Sequence, residues 1–102
     1  MDRVAVLQEI LAQNPNDAFA RYGLAMEYAN KGDSDTALNQ FARLIQANPD
    51  YTPAYQMSAQ TLMKAGREDE ARKMLQDGIA CAGRTRNQHA LSEMQALLDE
   101  LR

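Results

Sequence analysis

Residues 31–41 read KGDSDTALNQF and residues 65–75 read AGREDEARKML. Each stretch writes a glycine, four polar residues, an alanine, and a large apolar residue four places later. The step from Lys31 to Ala65 separates the two copies, and other features keep the same interval: Pro15 and Pro49, Gly32 and Gly66, Ala37 and Ala71, Phe41 and Leu75. A fixed period of about 34 residues marks a stacked repeat, in which one supersecondary unit cannot bury its own apolar face and needs a neighbour.

The punctuation inside the period says what the unit is. Glycine just past a helix can take the left-handed conformation that closes it, and an adjacent Asp or Ser can cap the helix that follows. Gly32 with Asp33 and Ser34 forms such a joint. Gly66 repeats it, and Glu68, Asp69 and Glu70 place negative charge where the exposed amides of a helix start favour it. Between these joints stand Asn14-Pro15-Asn16-Asp17 and Asn48-Pro49-Asp50-Tyr51, because proline disfavours helix in the residue before it and cannot continue one. Thr52 and Pro53 then read as a cap and a first helical residue. The pattern predicts six helices, over 2–13, 18–31, 34–47, 52–65, 68–82 and 86–101.

The apolar residues inside those segments fall at helical spacing: Leu24, Ala25 and Tyr28; Leu38, Phe41, Leu44 and Ile45; Leu91, Met94, Leu98 and Leu101. Strand alternation is absent. Ala37 and Ala71 are small where the two helices of a pair should cross.

These residues together resemble the tetratricopeptide repeat family, whose pattern runs aromatic, Leu-Gly, Tyr, Ala, Phe and Pro at set intervals. The first full unit offers Arg21, Leu24-Ala25, Tyr28, Ala37, Phe41 and Pro49, of which Arg21 departs most. The second offers Tyr55, Ser58-Ala59, Leu62, Ala71 and Leu75, with Gly83 in place of the proline and Gly78 smaller than the Leu44 it answers. Residues 2–15 resemble the second helix of a unit, with Leu7 answering Phe41 and Arg3 in the position of the small alanine. The resemblance implies an all-α fold, a right-handed superhelical stack of antiparallel helix pairs forming one domain over 1–102. It divides that domain into a half repeat at 2–15, repeats at 18–51 and 52–83, and a closing helix at 86–102.

Composition agrees with an ordinary soluble domain: 45% of residues are hydrophobic and 25% charged, which is the balance of a folded globular chain. No apolar run reaches the length of a membrane span, and MDRVAVLQEILAQ carries Asp2, Arg3, Gln8 and Glu9 among its apolar residues, unlike a signal peptide. The expected compartment is the cytoplasm. The net charge is −3, with 4 basic and 7 acidic residues before position 51 and 7 of each from there on. No basic strip suited to nucleic acid emerges. Arg84, Arg86 and His89 are read as solvated surface.

Nucleophilic catalysis needs a reactive group beside a proton acceptor, and the chain holds one cysteine, Cys81, and one histidine, His89. They lie on either side of a predicted helix break. Zinc ordinarily takes four Cys or His ligands, and no glycine-rich phosphate loop follows a strand. A noncatalytic chain with no cofactor and no metal is expected.

In this family the first helix of each pair lines a concave surface that holds an extended or helical peptide. On residues 18–31, Phe19, Tyr22 and Met26 form one stripe at helical spacing, which either packs against the neighbouring helices or faces that groove. The corresponding face of 52–65 carries Gln56, Met57, Gln60 and Lys64, a combination of adaptable thioether and hydrogen-bonding amide suited to a peptide. The expected peptide-binding residues are therefore Tyr22, Met26, Gln56, Met57, Gln60 and Lys64. Some family members grip a terminal carboxylate with lysines and asparagines. The matching positions here hold Tyr22, Met26, Met57, Asn87 and Leu91, so that clamp is not expected. The partner implied is an unidentified protein or peptide. A second reading comes from Val4, Leu7, Ile10 and Leu11, which lack a partner helix within their own unit and could join two chains in a symmetric homodimer.

Overall fold

The computed structural model describes residues 2–101. Six helices and no strand occur among them: α1 (Arg3–Gln13), α2 (Ala18–Asn30), α3 (Ser34–Ala47), α4 (Thr52–Lys64), α5 (Glu68–Arg84) and α6 (Gln88–Glu100). Each helix packs on its neighbours in the chain, and α4 also touches α2 and α6. Among the described residues α1, α3 and α5 make no such contacts with one another. Helices that touch on one side of a stack and splay on the other curve it, so α2, α4 and α6 line the inner face.

The helix starts follow the capping chemistry. Asp2, Asp17, Asp33 and Asn87 each accept a hydrogen bond from a backbone amide of the first turn they precede. Thr52 is not a cap: Tyr51 occupies that position, and Thr52 lies inside α4 with its hydroxyl 3.3 Å from Cys81 Sγ. The carbonyl of Asp50 also accepts from Thr52 Oγ1, at 3.4 Å.

The two glycine joints have one geometry. Gly32 has φ of 83° and Gly66 of 75°, and the amides of Asp33 and Arg67 donate back to the carbonyls of Tyr28 and Leu62 at 3.0 and 2.9 Å. This is the bond of a glycine-terminated helix, written twice, one period apart.

The core repeats likewise. Ala37, Phe41, Ala71 and Leu75 are all fully buried. Arg21, which stands where the family prefers an aromatic residue, makes the same anchoring contact as the aromatic it replaces. Its guanidinium donates to the Pro15 carbonyl at 3.1 Å, while Tyr55, one period on, donates its hydroxyl to the Pro49 carbonyl at 2.6 Å. Arg3, in the place of the small alanine, lies at the start of α1 and pairs with Glu27 of α2.

The period breaks after α5. With Gly83 instead of proline nothing stops the helix at 82, and α5 runs on to Arg84, two residues beyond the expected end. The amide of Asn87 donates to the Ala82 carbonyl at 2.8 Å, and Arg86 takes φ of 57°, the left-handed role that glycine fills at the two other joints. The closing helix is consequently displaced in register. Ala54, Ser58 and Leu62 are buried on α4, and their buried counterparts on α6 are Ala90, Met94 and Leu98, each two positions beyond where the period would put it. Arg72 of α5 holds the far end of α6 by donating to the Leu101 carbonyl at 2.7 and 3.1 Å.

Leu7 and Leu11 turn inward onto Ala20 and Leu24 of α2, so α1 covers the first face of the stack. Val6 and Ile10, about 100° around α1 from these leucines, are 39% and 40% exposed.

Candidate functional site

Between α2 and α4, on the inner face, lies a cleft of about 250 Å³. Of the six residues expected to hold a peptide, Met26, Met57, Gln60 and Lys64 line it. Met26 comes from α2 and the other three from one face of α4, with Met57, Gln60 and Lys64 at helical spacing. Both methionines also pack against the buried cluster around Phe41 and Ala54, which makes the apolar floor of the cleft continuous with the core. Lys64 is exposed and makes no ion pair among the described residues.

Tyr22 stands elsewhere. Its ring centroid is 6.2 Å from that of Phe41, edge-on, and 5.6 Å from that of Tyr51, so it forms an aromatic cluster against the core. Burial, and secondarily Tyr51, pushes its phenol pKa up, so the ring is neutral around neutral pH. Phe19 is 79% exposed. The stripe on α2 thus divides three ways, with Phe19 in solvent, Tyr22 on the core and Met26 at the cleft.

Gln56 is directed toward the closing helix, where its amide lies 3.5 Å from Glu93 Oε2. The displaced register accounts for this. Adding the same two positions to the period carries Pro53 and Met57 onto His89 and Glu93, so these replace Asn87 and Leu91 as the inner-face positions of α6. His89 Nε2 is 2.8 Å from Glu93 Oε1. Asn87 caps α6 and Leu91 is half-buried against the core. An acidic residue at 93 leaves no basic clamp there.

Asn30, Ser34 and Thr61 also line the cleft, although the sequence reading did not include them. Asn30 was accessible to the same arithmetic, since it precedes Lys64 by one period. Ser34 enters from the start of α3, which no helical wheel of α2 or α4 displays. Thr61 donates its hydroxyl to the Met57 carbonyl at 2.8 Å, which occupies its proton within the helix.

Cys81 and His89 have separate surroundings. Cys81 is fully buried beside Thr52, and His89 is exposed with Glu93 as its partner. Arg84 is engaged as well: it donates to Asp50 Oδ1 at 3.1 Å and to the Pro49 carbonyl at 3.3 Å, which ties α5 to the α3–α4 loop.

Comparison with known proteins places this geometry. The tetratricopeptide repeat family model matches residues 4–56 and 28–98. The TPR repeat-containing protein PA0015 of Pseudomonas aeruginosa is 27% identical over 95 residues, covering 93% of this chain and 90% of that protein. The solution structure of a tetratricopeptide repeat domain protein from Salinibacter ruber superposes with a TM-score of 0.81 at 30% identity, covering 87% of this chain and 90% of that one. The crystal structure of YrrB, a TPR protein with an unusual peptide-binding site, superposes with a TM-score of 0.73 at 31% identity, over 76% of this chain and 40% of that one. With the period, the joints and the family model in agreement over nearly its whole length, the chain belongs to the tetratricopeptide repeat family.

Proposed function

We propose that this chain is a noncatalytic scaffold that holds a segment of another protein against the inner face formed by α2, α4 and α6. The observation that carries the reading is the α2–α4 cleft, where Met26 and Met57 supply an apolar floor and Gln60 and Lys64 supply polar groups. Tyr22 and Gln56 are not part of its lining, the first lying on the aromatic cluster and the second toward Glu93. YrrB, 31% identical over the aligned region, has a peptide-binding site of its own and supports the same class of role. The reading takes the chain as one domain, with units at 2–15, 18–51, 52–83 and 86–102. It also places the protein in the cytoplasm. No described helix is long and apolar enough to cross a membrane.

With few anchors, affinity for a short segment should be on the order of micromolar, about −8 kcal/mol. The test is affinity capture from the source cell with wild type and a Tyr22→Ala, Met57→Ala double variant in parallel, folding being verified by circular dichroism. A partner retained by wild type and lost by the folded double variant supports the groove. Equal capture by both removes it.

The exposed Val6 and Ile10 favour a second reading, a homodimer through the outer side of α1. Leu7 and Leu11 are not available to it, because α2 covers them. A light-scattering mass of one chain across micromolar concentrations would end that reading.

A further inference from the structure

Five joints connect the six helices, and four of them contain a helix breaker: Pro15, Gly32, Pro49 and Gly66. The fifth, Thr85-Arg86-Asn87 between α5 and α6, contains none. It nevertheless makes the turn of the two glycine joints. The amide of Asn87 donates to the Ala82 carbonyl as those of Asp33 and Arg67 donate to Tyr28 and Leu62, and Arg86 takes the left-handed conformation where Gly32 and Gly66 stand. Glycine adopts that conformation freely, whereas a residue with a β-carbon is strained in it.

From Arg84 to Glu100 there is no glycine and no proline, so nothing local stops the backbone from running through the joint as one helix. In that helix the amides of Arg86, Asn87 and Gln88 would donate to the carbonyls of Ala82, Gly83 and Arg84, four residues back, and the left-handed residue would disappear. Tertiary packing holds the joint bent in a single chain. Straightening it carries α6 off α5 and α4, the helices it packs on among the described residues. Met94, which is fully buried and fills the space beside Gly78, would then enter water. A second copy opened in the same way offers α6 an identical bed. Arg72 near the start of α5 reaches the Leu101 carbonyl at the end of α6, so the two helices are antiparallel. Two straightened copies can therefore lie side by side about a two-fold axis at the joint.

We infer that two copies of this chain exchange α6, each joint opening so that α5 and α6 run as one helix and each α6 lies on α5 and α4 of the other copy. The exchange remakes between copies the contacts of the closed chain, Met94 beside Gly78 and Arg72 on the Leu101 carbonyl, and removes a left-handed arginine from each. It uses neither Val6 nor Ile10 and is independent of a dimer through α1. It is independent of the inner-face reading as well, because each stack keeps an α6 on its inner face, supplied by the other copy.

The experiment unfolds the full chain in urea, refolds it across concentrations up to millimolar, and reads the mass by size-exclusion chromatography with light scattering. A species of twice the chain mass should appear and grow with concentration. Arg86→Gly should raise its Kd at least about tenfold, because glycine relieves the closed joint in both copies and weakens both continuous helices. Arg86→Ala combined with Asn87→Ala should lower the Kd, since alanine favours the continuous helix while the closed form keeps a left-handed residue with a β-carbon and loses the Asn87 cap of α6. Val6→Glu combined with Ile10→Glu should leave the Kd unchanged.

Arg86 and Asn87 are exposed, so the joint variants should fold, and circular dichroism checks that each keeps its helices. A mass of one chain at every concentration, in wild type and in the double alanine variant alike, overturns the inference. So does a dimer whose Kd the joint variants leave in place. A dimer lost in the Val6→Glu, Ile10→Glu variant belongs to the α1 edge and overturns it too.

Discussion

Met94 occupies the space that a side chain on Gly78 would need: its Sδ lies 2.5 Å from where a β-carbon of residue 78 would stand, and the Tyr55 Cβ lies 2.8 Å away. One period earlier the position belongs to the buried Leu44. At this one position the second unit therefore fills its core from the closing helix rather than from its own second helix.

Gly78→Ala is expected to destabilise despite the gain of about 1 kcal/mol that alanine brings to a helix interior. Tyr55 Cβ is fixed to the α4 backbone and cannot retreat, so overpacking of about 1–3 kcal/mol should prevail. Urea unfolding should show a lower midpoint. Adding Met94→Ala should cost less than it does in wild type, because the two residues share one space.

Arg86 holds a left-handed backbone at φ of 57° without the freedom of glycine. Arg86→Gly should raise stability by up to about 1 kcal/mol, the relief of the side-chain clash exceeding the extra entropy of a glycine in the unfolded chain. A higher urea midpoint at unchanged slope would register it.

Ala37 and Ala71 are fully buried, on α3 and α5. Ala37→Leu should lower stability by about 1–3 kcal/mol through overpacking. Ala42→Leu, at an exposed position of the same helix, serves as the control and should leave the melting temperature nearly unchanged.

Tyr22, Tyr51 and Tyr55 all have phenol pKa values raised above the ordinary 10.0, in each case chiefly by burial. A raised acid pKa means that the unfolded chain loses its protons first. The contribution of these groups is then fully present below about pH 10 and falls as pH rises above it. Thermal melts from pH 8 upward should show stability declining past that point, with the tyrosinate absorbance appearing late. Tyr22→Phe should flatten the decline.

Particular residues explain what the sequence could convey. Gly32, Gly66, Ala37 and Ala71 each answer a local steric demand, so their spacing alone disclosed the helix pairs and both glycine joints. The extension of α5 was foreshadowed by the missing proline at 83. That Arg86 would take the left-handed position was not, because arginine carries no signal for it. The displaced register of α6 follows from that joint, and it moved the inner-face positions from Asn87 and Leu91 to His89 and Glu93. Met26, Met57, Gln60 and Lys64 line one cleft because helical spacing and the repeat period together determine that they should. Tyr22 could not be assigned from a wheel, since what covers it is Tyr51, a loop residue whose path the periodicity does not describe.

The two edges of the stack are chemically unlike. The exposed residues of α1 include Val6 and Ile10 among Gln8, Glu9 and Gln13, whereas those of α6 include His89, Ser92, Glu93, Asp99 and Glu100 and no large hydrophobic residue. A helix laid against the first edge would remove hydrocarbon from water, and one laid against the second would have to strip hydration from charges. Association that buries apolar surface is therefore favoured at the α1 edge over the α6 edge.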